Sequence, residues 1–508
     1  MVNPAAVQQL KVPLICAAVL LVATFIGAQI GGENYPVLVL GAVIVLLAAI
    51  TFLSGRFYWI LAIASSFLGG TFPILGGQFT PFQILALIGI AKFILEDVVV
   101  KRTRLKIGPR FDVLLIIAFM AVLTWHGIHD RFGMRFLGSS VWGGRHYVNV
   151  FVGLVAFVVI QSVPMPGKLW SRLPYAILAV TSFDLIIGII TTLFPASIYK
   201  IYPFYSAVSM AGVEEIVSGR SETGRIGAFG NFGFVLILIV FSTVSLRSLL
   251  HPSNFGRLLL LGVGWLSVLY SGFRSMVLNS FLGMFIAGIR DLKGGVVWLV
   301  VRLALFLAGI SVINSTVVPL PRQIQRSLTF LPGKWDSEMS ADAADSNQFR
   351  KQVWTTWEQQ YFPKHPWLGR GFGFKSEWGQ RSTYKSDPYD SVWTVETGNL
   401  HNGFLASLDS IGIVGTLFFV IWNLRLLVRT LQVPFRRDDP NGMALRFISL
   451  YLAVSIISYW IGAQDLGTFL SNELVLVGVF LGLQGDRAAV EVSSAVTAPT
   501  SVAKPATA

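Results

Sequence analysis

The sequence predicts an all-α protein that crosses a membrane many times. Hydrophobic residues make up 54% of its 508 residues and charged residues only 13%, and the mean hydropathy is +0.66. A soluble chain of this length needs more polar surface to stay in solution. Apolar runs of about 20 residues, the length that crosses a bilayer, recur from one end of the chain to the other. These observations predict a polytopic integral membrane protein.

The apolar runs number about fourteen when each is measured against the length of a membrane-spanning helix. Lys and Arg accumulate in cytoplasmic loops because such loops resist translocation. The basic residues therefore place the loops 97–110, 164–172, 248–257, 291–295 and 425–445 in the cytoplasm, together with both termini. The predicted spans are 12–30, 37–54, 57–75, 81–96, 111–127, 147–163, 173–194, 233–247, 258–272, 275–290, 296–318, 402–424, 446–463 and 469–485.

The net charge of +13 comes largely from these cytoplasmic loops, so it does not indicate binding to nucleic acid. We expect the lipid bilayer as a partner and no nucleic acid. The single cysteine, Cys16, lies inside the first apolar run. It excludes an intramolecular disulfide and a cysteine metal cluster. We interpret that first run as a retained anchor and not as a cleaved signal peptide.

Two long connections fall on the outer face, Pro195 to Asn231 and Pro319 to Leu400. Loops as long as the second are usually functional or disordered, and its many tryptophans argue against disorder. Apolar residues at helical spacing between Phe349 and Tyr361 predict an amphipathic helix inside it. This helix either lies on the membrane surface or caps the bundle. The alternative is that it packs within the loop itself.

The predicted organisation follows from these spans and loops. An N-terminal bundle of about eleven spans covers 1–318, and a large periplasmic loop with the amphipathic helix covers 319–400. The C-terminal spans cover 401–485. A tail rich in Ala, Val, Ser, Thr and Pro, predicted to be disordered and cytoplasmic, covers 486–508.

His401 and Asn402 stand where a predicted span begins at its outer end. A histidine can take or give a proton near neutral pH, and an asparagine can cap the helix that follows it. His401 is thus a candidate acid–base residue. The alternative is an interfacial histidine that only packs.

The string HNGFLASLDSIGIVG, residues 401–415, resembles the C-terminal signature of the O-antigen ligase and polymerase family. The stretch HPWLGRGFGF at 365–374 resembles the segment that precedes the family's histidine. Arg350 and Trp354 match the Arg and Trp that usually come before that segment. These C-terminal matches therefore occur along the chain in the same order as in the family.

Two further segments resemble the Arg motifs of the same family. Residues 224–231 resemble the first, although the chain reads Asn-Phe-Gly from Asn231 where the family commonly has Asn-Pro-Asn. Residues 271–275 resemble the second. Without the resemblance, Arg225 would be interpreted as a surface charge, and Arg274 could also extend to the membrane interface.

The resemblance implies a GT-C-type glycosyltransferase that acts at the periplasmic face of the bacterial inner membrane. Its donor is a glycan on undecaprenyl diphosphate, which is transferred to an acceptor hydroxyl. The implied catalytic residues, gathered at the donor diphosphate, are His401, Arg274 and Arg225. The implied substrate-binding residues are Arg220, Glu222, Asn402, Arg350, Trp354 and Arg370.

Arginine suits a diphosphate leaving group because it is permanently charged and can hold two oxygens at once. The outer loops contain no Asp-x-Asp triplet of the kind that holds a metal in many nucleotide-sugar transferases. We therefore expect chemistry that needs neither a metal nor a cofactor.

The resemblance leaves the acceptor open. A ligase transfers to the lipid A core, a polymerase joins lipid-linked repeat units of O-antigen or exopolysaccharide, and related enzymes glycosylate proteins. A transporter of lipid-linked oligosaccharides is a less favoured class, because the chain shows no clear internal repeat and its notable polar residues lie towards one face.

Overall fold

The computed structural model describes residues 55–74, 77–100, 105–129, 141–163, 165–201, 204–206, 226–249, 251–292, 296–372, 374–375, 391–433, 441–462 and 465–497. The chain forms two compact units, 1–58 and 59–508. All helices from residue 81 onward lie in the second unit. The predicted spans 12–30 and 37–54 lie outside the described residues.

Helices make up nearly all of the regular structure. In the first half they are α1 (Phe57–Ser65), α2 (Pro81–Lys92), α3 (Arg110–His129), α4 (Gly144–Ser162), α5 (Gly167–Trp170), α6 (Leu173–Leu193) and α7 (Ile198–Ile201). In the second half they are α8 (Gly227–Thr243), α9 (Phe255–Tyr270), α10 (Arg274–Leu292), α11 (Val296–Thr316), α12 (Arg322–Leu328), α13 (Ser337–Gln360), α14 (Ser391–Glu396), α15 (Gly403–Leu431), α16 (Gly442–Ile461) and α17 (Leu466–Thr497).

In the described part of the chain, four very short strands form two antiparallel pairs. Strand β1 (Phe72–Ile74) pairs with β2 (Gly77–Phe79), with Phe72 opposite Phe79. Strand β3 (Val141–Trp142) pairs with β4 (Phe374–Lys375). A π-helix, Phe93–Val100, continues α2.

Several helices are long and apolar enough to cross a membrane, so the chain is a multi-pass helical protein. Among the described residues six qualify, and Gly227–Thr243 and Ala304–Thr316 are shorter apolar helices. The total of about fourteen spans stays a prediction. The six are Arg110–His129, Gly144–Ser162, Gly167–Leu193, Gly403–Leu431, Gly442–Ile461 and Leu466–Gly485.

Two predicted boundaries are wrong. The predicted span 57–75 contains only the helix α1, which ends at Ser65 and is followed by β1. Gly69, Gly70 and Pro73 disfavour a continued helix, because glycine is flexible and proline lacks the amide hydrogen. The tail predicted to be disordered from 486 is helical as far as Thr497, in a stretch that contains several alanines.

Glycines allow the helices to approach each other closely. A Cβ added to Gly233 of α8 would lie 2.5 Å from the carbonyl oxygen of Gly264 in α9. A Cβ added to Gly153 of α4 would lie 2.8 Å from the carbonyl oxygen of Ser471 in α17. Small residues of this kind are typical of helix contacts within membranes, where close packing drives association.

Two buried carboxylates of the bundle are paired with arginines. Asp112 of α3 accepts hydrogen bonds from Arg425 and Arg429 of α15, at 3.0 and 2.6 Å. Asp291 of α10 accepts one from Arg446 of α16, at 2.7 Å. Ionisable groups in such positions are stable only with partners. These pairs therefore join α3 to α15 and α10 to α16.

Candidate functional site

Helix α13 lies beside the segment that leads to His401. Its N-cap, Asp336, accepts hydrogen bonds from the amides of the helix's first turn. Further along, Val353 and Trp357 are buried against Val395 and Leu400. The apolar face of α13 therefore packs both on its own loop and on the first turns of α15.

His401 has a backbone conformation that residues other than glycine rarely adopt. Its φ is 52°, and it is the one non-glycine residue with a positive φ in the described part of the chain. Such conformations persist only where the surroundings impose them, and they cluster at functional sites. Here the ring of Phe349 meets the imidazole edge to face at 6.2 Å, and Trp354 Nε1 donates to the carbonyl of Leu400 at 2.8 Å.

The surroundings of His401 favour its neutral imidazole. Burial lowers the pKa of His401, and the positive charge of Arg350 lowers it further. Both effects disfavour the imidazolium form. A neutral, half-buried imidazole can accept a proton from a hydroxyl group. Arg350 and Trp354, predicted from the sequence as substrate-binding residues, are therefore neighbours of His401.

Asn402 caps α15, the helix that follows His401. Its side-chain oxygen accepts a hydrogen bond from the amide of Leu405 at 3.2 Å. The next residue, Gly403, lies so close to the carbonyl of Tyr459 in α16 that no Cβ would fit there. The cap and this close contact fix the start of α15 and, with it, the position of His401.

Helix α15 is interrupted at Gly412, whose φ is 62° and ψ is −171°. The residues 365–372, called the Gly-rich loop below, lie against this break. A Cβ added to Gly369 would lie 2.6 Å from the amide nitrogen of Gly412, and one on Gly412 would overlap Trp367. Glycine is thus required at both positions by a close backbone approach.

The Gly-rich loop replaces hydrogen bonds that the interrupted helix lacks. In a continuous helix the amides of Ile413 and Val414 would bond to the carbonyls of Asp409 and Ser410. Those carbonyls instead accept from the amides of Arg370 and Gly371 at 2.8 and 3.1 Å. The two freed amides donate to the carbonyls of Pro366 and Trp367, at 2.9 and 3.1 Å. The loop and the helix therefore complete each other's backbone.

The side chain of Arg370 is held by protein groups. Its guanidinium donates to both carboxylate oxygens of Asp409, at 2.8 and 2.9 Å, and lies 3.5 Å from Glu396. Trp357 Nε1 also donates to Asp409, at 2.9 Å. Burial lowers the pKa of Arg370, but Asp409 and Glu396 outweigh burial and raise it. Arg370 thus positions the Gly-rich loop, and its predicted contact with substrate stays a prediction.

Arg274 is the first residue of α10, after a tight turn in which Gly272 has a φ of 75°. The carbonyl of Ser271 in this turn accepts a hydrogen bond from the amide of Ile226 at 3.0 Å. Arg220, Glu222 and Arg225 lie outside the described residues. The structure therefore brings the residue that follows Arg225 in the sequence to the turn that precedes Arg274.

A cavity of about 440 Å³ lies between α2, α4, α8, α16 and α17. His146 lines it, and its Nδ1 lies 3.4 Å from Asp465. Neither residue was predicted from the sequence. In the sequence, the histidine and the aspartate each stand at the outer end of a predicted span, and this pattern could have identified them.

Within the described ranges, no three His, Cys, Asp or Glu side chains form a group that could hold a metal ion.

Residues 231–420 match the protein family described as O-Antigen ligase. The match begins near the start of α8 and ends inside α15, so it includes Arg274, the Gly-rich loop and His401. It confirms the predicted resemblance to the O-antigen ligase family over this part of the chain. No protein of the curated collection matches the chain. The match supports a glycosyltransferase-like activity on lipid-linked glycans in a membrane environment.

Proposed function

We propose that the protein transfers a glycan from undecaprenyl diphosphate to an acceptor hydroxyl at the periplasmic face, without a metal ion. The observation that carries this proposal is the environment of His401. The residue is held at a positive φ beside Arg350 and Trp354, and its lowered pKa leaves it neutral. A neutral base at this position, within a match to a glycan-transferring family, supports group transfer.

In the proposed reaction the acceptor oxygen attacks the anomeric carbon of the donor glycan. The new glycosidic bond forms while the bond from that carbon to the diphosphate oxygen breaks. Undecaprenyl diphosphate leaves with the bonding electrons, and His401 takes the proton of the acceptor hydroxyl. General-base catalysis of this kind typically contributes about 10²–10⁴-fold in rate.

Arg274 and Arg225 are proposed to bind the leaving diphosphate. A guanidinium binds two phosphate oxygens with parallel hydrogen bonds, and it stabilises charge that develops as the diphosphate leaves. The hydrogen bond from Ile226 to Ser271 supports this pairing, because it brings the two Arg motifs together. Arg220 and Glu222 are proposed to orient Arg225, and Asn402 to fix the start of α15 beside the substrate.

Purified full-length protein provides the direct test. It is incubated with a synthetic undecaprenyl-diphosphate glycan and a panel of acceptors, and covalent transfer is measured by mass spectrometry. We expect transfer that survives EDTA. If EDTA abolished transfer and Mg²⁺ or Mn²⁺ restored it, the metal-free mechanism would be wrong. If no acceptor were glycosylated, the proposed function would be wrong.

We favour a ligase over a polymerase because of the surface around α13. Trp354 lies beside His401, and the neighbouring Lys351 is exposed. Aromatic side chains suit an amphiphilic acceptor at a membrane surface, and the basic residues Arg350 and Lys351 suit the phosphates of a lipid A core. A GT-C-type bundle of about fourteen spans belongs to the same proposal.

Deleting the gene distinguishes the two activities. Loss of a ligase leaves long polymer on undecaprenyl diphosphate and removes it from the lipid A core. Loss of a polymerase leaves single repeat units, or removes secreted polysaccharide while the lipopolysaccharide stays intact. The second result would favour the alternative of an O-antigen or exopolysaccharide polymerase.

A further inference from the structure

The cavity between α2, α4, α8, α16 and α17 has the size of a small-molecule site. Its volume of about 440 Å³ lies in the range of about 300–1,000 Å³ that is typical of ligand pockets. Its lining comes from helix ends that the charge bias assigns to the outer face, apart from mid-helix residues such as Thr181 and Tyr451. The cavity was not foreseen from the sequence.

Side-chain amides from four helices line this cavity. They belong to Gln83 of α2, Asn149 of α4, Asn231 of α8 and Asn472 of α17. Each amide can donate and accept hydrogen bonds, as can the hydroxyl of Thr468, one turn before Asn472. Such groups match the hydroxyl groups of a sugar, which also donate and accept hydrogen bonds.

Part of this lining is held in place before any ligand binds. Gln83 Nε2 donates to Asn149 Oδ1, and Ser471 Oγ donates to the backbone carbonyl of Asn149 at 2.9 Å. Gln83 also closes a capping box with Thr80 at the start of α2. Polar groups that are already oriented bind a ligand at a lower entropic cost.

Aromatic rings form another side of the cavity. Tyr451 meets Phe67 edge to face at 4.8 Å, and Phe234 lies 5.6 Å from the same tyrosine. All three residues line the cavity. Apolar ring faces beside a few oriented polar groups are the usual composition of a small-molecule site, and they suit the C–H face of a pyranose ring.

The charge of the lining disfavours a diphosphate at this position. Among the lining residues in the described part of the chain, Arg145 is the one with a permanent charge, and its neighbour His146 also lines the cavity. Asp465 interacts with both of them. A negative carboxylate beside a single guanidinium is a poor match for several phosphate charges, but it tolerates a neutral ligand.

The cavity is adjacent to both parts of the proposed active site. Asn231 is the first residue of the stretch that matches the O-antigen ligase family, and it is the last residue of the first Arg motif. His146 also lines a smaller cavity together with Arg370, Glu396 and Gly398, shortly before His401 in the chain. A ligand here would therefore lie between the donor-binding segment and the Gly-rich loop.

We propose that this cavity binds one neutral pyranose unit of the lipid-linked donor glycan. The donor is favoured over the acceptor because Asn231 adjoins the segment assigned to the donor diphosphate. The inference rests on the proposed function and adds to it a sugar-recognising subsite. Asn472 and Thr468 contribute specificity, and their side chains are accessible from the cavity.

The test uses full-length protein in lipid nanodiscs, free of sugar-based detergent. The probes are undecaprenyl diphosphate without sugar and the same lipid carrying glucose, galactose or N-acetylglucosamine, with Kd measured by thermophoresis. The variants are Asn472→Ala and Thr468→Val. Their matched controls are Asn347→Ala on exposed α13 surface and Thr124→Val on exposed α3 surface.

We expect wild type to bind at least one sugar-bearing lipid more tightly than the bare lipid. Asn472→Ala and Thr468→Val should each reduce that preference by about tenfold or somewhat less, as the loss of one hydrogen bond predicts. Binding of the bare lipid should stay unchanged in both variants, and the two controls should behave as wild type.

Other outcomes separate the two proposals. If wild type binds all four lipids equally, or if the variants weaken bare and sugar-bearing lipids alike, the sugar subsite is wrong and donor binding stands. If the variants keep the full preference, the cavity does not hold the sugar. If wild type binds none of the four lipids, the proposed function itself is wrong.

Discussion

Ile226 and Ser271 are joined by a backbone hydrogen bond of 3.0 Å, from the amide of the first to the carbonyl of the second. Close packing reinforces this link, since a Cβ added to Gly230 would lie 2.8 Å from Met276. The start of α8 is thus fixed to the turn between α9 and α10. Because the two Arg motifs adjoin this link, changes at either motif should affect the same step of the reaction.

Arg274→Lys should remove most transfer activity while the protein still inserts and folds. A lysine keeps the charge but cannot hold two diphosphate oxygens with a planar fork, so we expect at least about a tenfold loss. The rate of transfer from the undecaprenyl-diphosphate donor measures the effect. Arg257→Lys, at the opposite end of α9, is the control and should keep wild-type activity. If both variants were equally active, the assignment of Arg274 to the diphosphate site would be wrong.

His401→Ala should reduce the transfer rate by about 10²–10⁴-fold, because the acceptor proton would lose its base. Donor binding should change little, since the diphosphate is held by arginines. His365→Ala is the matched control, because His365 is an exposed histidine in the Gly-rich loop. Near-normal turnover of His401→Ala would show that His401 only packs at the interface.

The pH profile should have an acid limb set by His401. Only the neutral imidazole accepts a proton, so the rate should rise with pH through its pKa and then level off. Because burial and Arg350 lower that pKa, the limb should lie below about 6.5, the ordinary histidine value. Arg350→Gln removes a positive charge, raises the pKa and should shift the limb to higher pH. Lys351→Gln is the control, and a limb that stayed fixed in Arg350→Gln would contradict the assignment.

Arg370→Ala should lower the free energy of unfolding by about 3–5 kcal/mol, because Asp409 would keep a buried charge without its partner. Asp409 is only 6% exposed. Denaturant unfolding in detergent gives the measurement, and Lys364→Ala, at an exposed position nearby, should change it little. The double variant with Asp409→Ala should lose less than the sum of the two single losses. Additive losses would mean that the pair contributes nothing as a pair.

Residues 319–400 and 425–445 should lie on opposite sides of the membrane. After Cys16→Ser, single cysteines introduced by Ser382→Cys and Asp438→Cys should react differently with a membrane-impermeant maleimide in intact spheroplasts. We expect labelling of the first position, and labelling of the second only after permeabilisation. Labelling of both in intact spheroplasts would place the two loops on one side and contradict the charge bias.

Hydropathy predicted most of the described long helices, because a bilayer requires about 20 consecutive apolar residues whatever their partners are. Helix α3, for example, covers the predicted span 111–127 with few residues to spare. The interruption of α15 was not predicted, since Gly412 lies in an apolar run like that of any other span. Only the distant Gly-rich loop makes the break stable, and hydropathy contains no information about such a partner.

The candidate site was predictable where a motif lies in one segment. His401, Asn402, Arg350 and Trp354 are close in the chain, and the structure groups them at the start of α15. The role of Arg370 was not predictable in this way, because Asp409 is 39 residues away and its carboxylate looks like any other in a sequence. The lining of the cavity comes from helices far apart in the chain, for the same reason.

The interruption of α15 also constrains the order in which the chain can be assembled. Until residues 365–372 arrive, the amides of Ile413 and Val414 and the carbonyls of Asp409 and Ser410 lack their final partners. Unpaired backbone groups are not tolerated in the hydrocarbon region. During synthesis the loop is made before α15. Either α15 enters the bilayer as a regular helix and its backbone hydrogen bonds break later, or it stays in contact with protein and water until the loop packs against it. Defects at Gly369 or Gly412 should accordingly appear as failed biogenesis, recognised by quality-control proteases, before any catalytic defect can be measured.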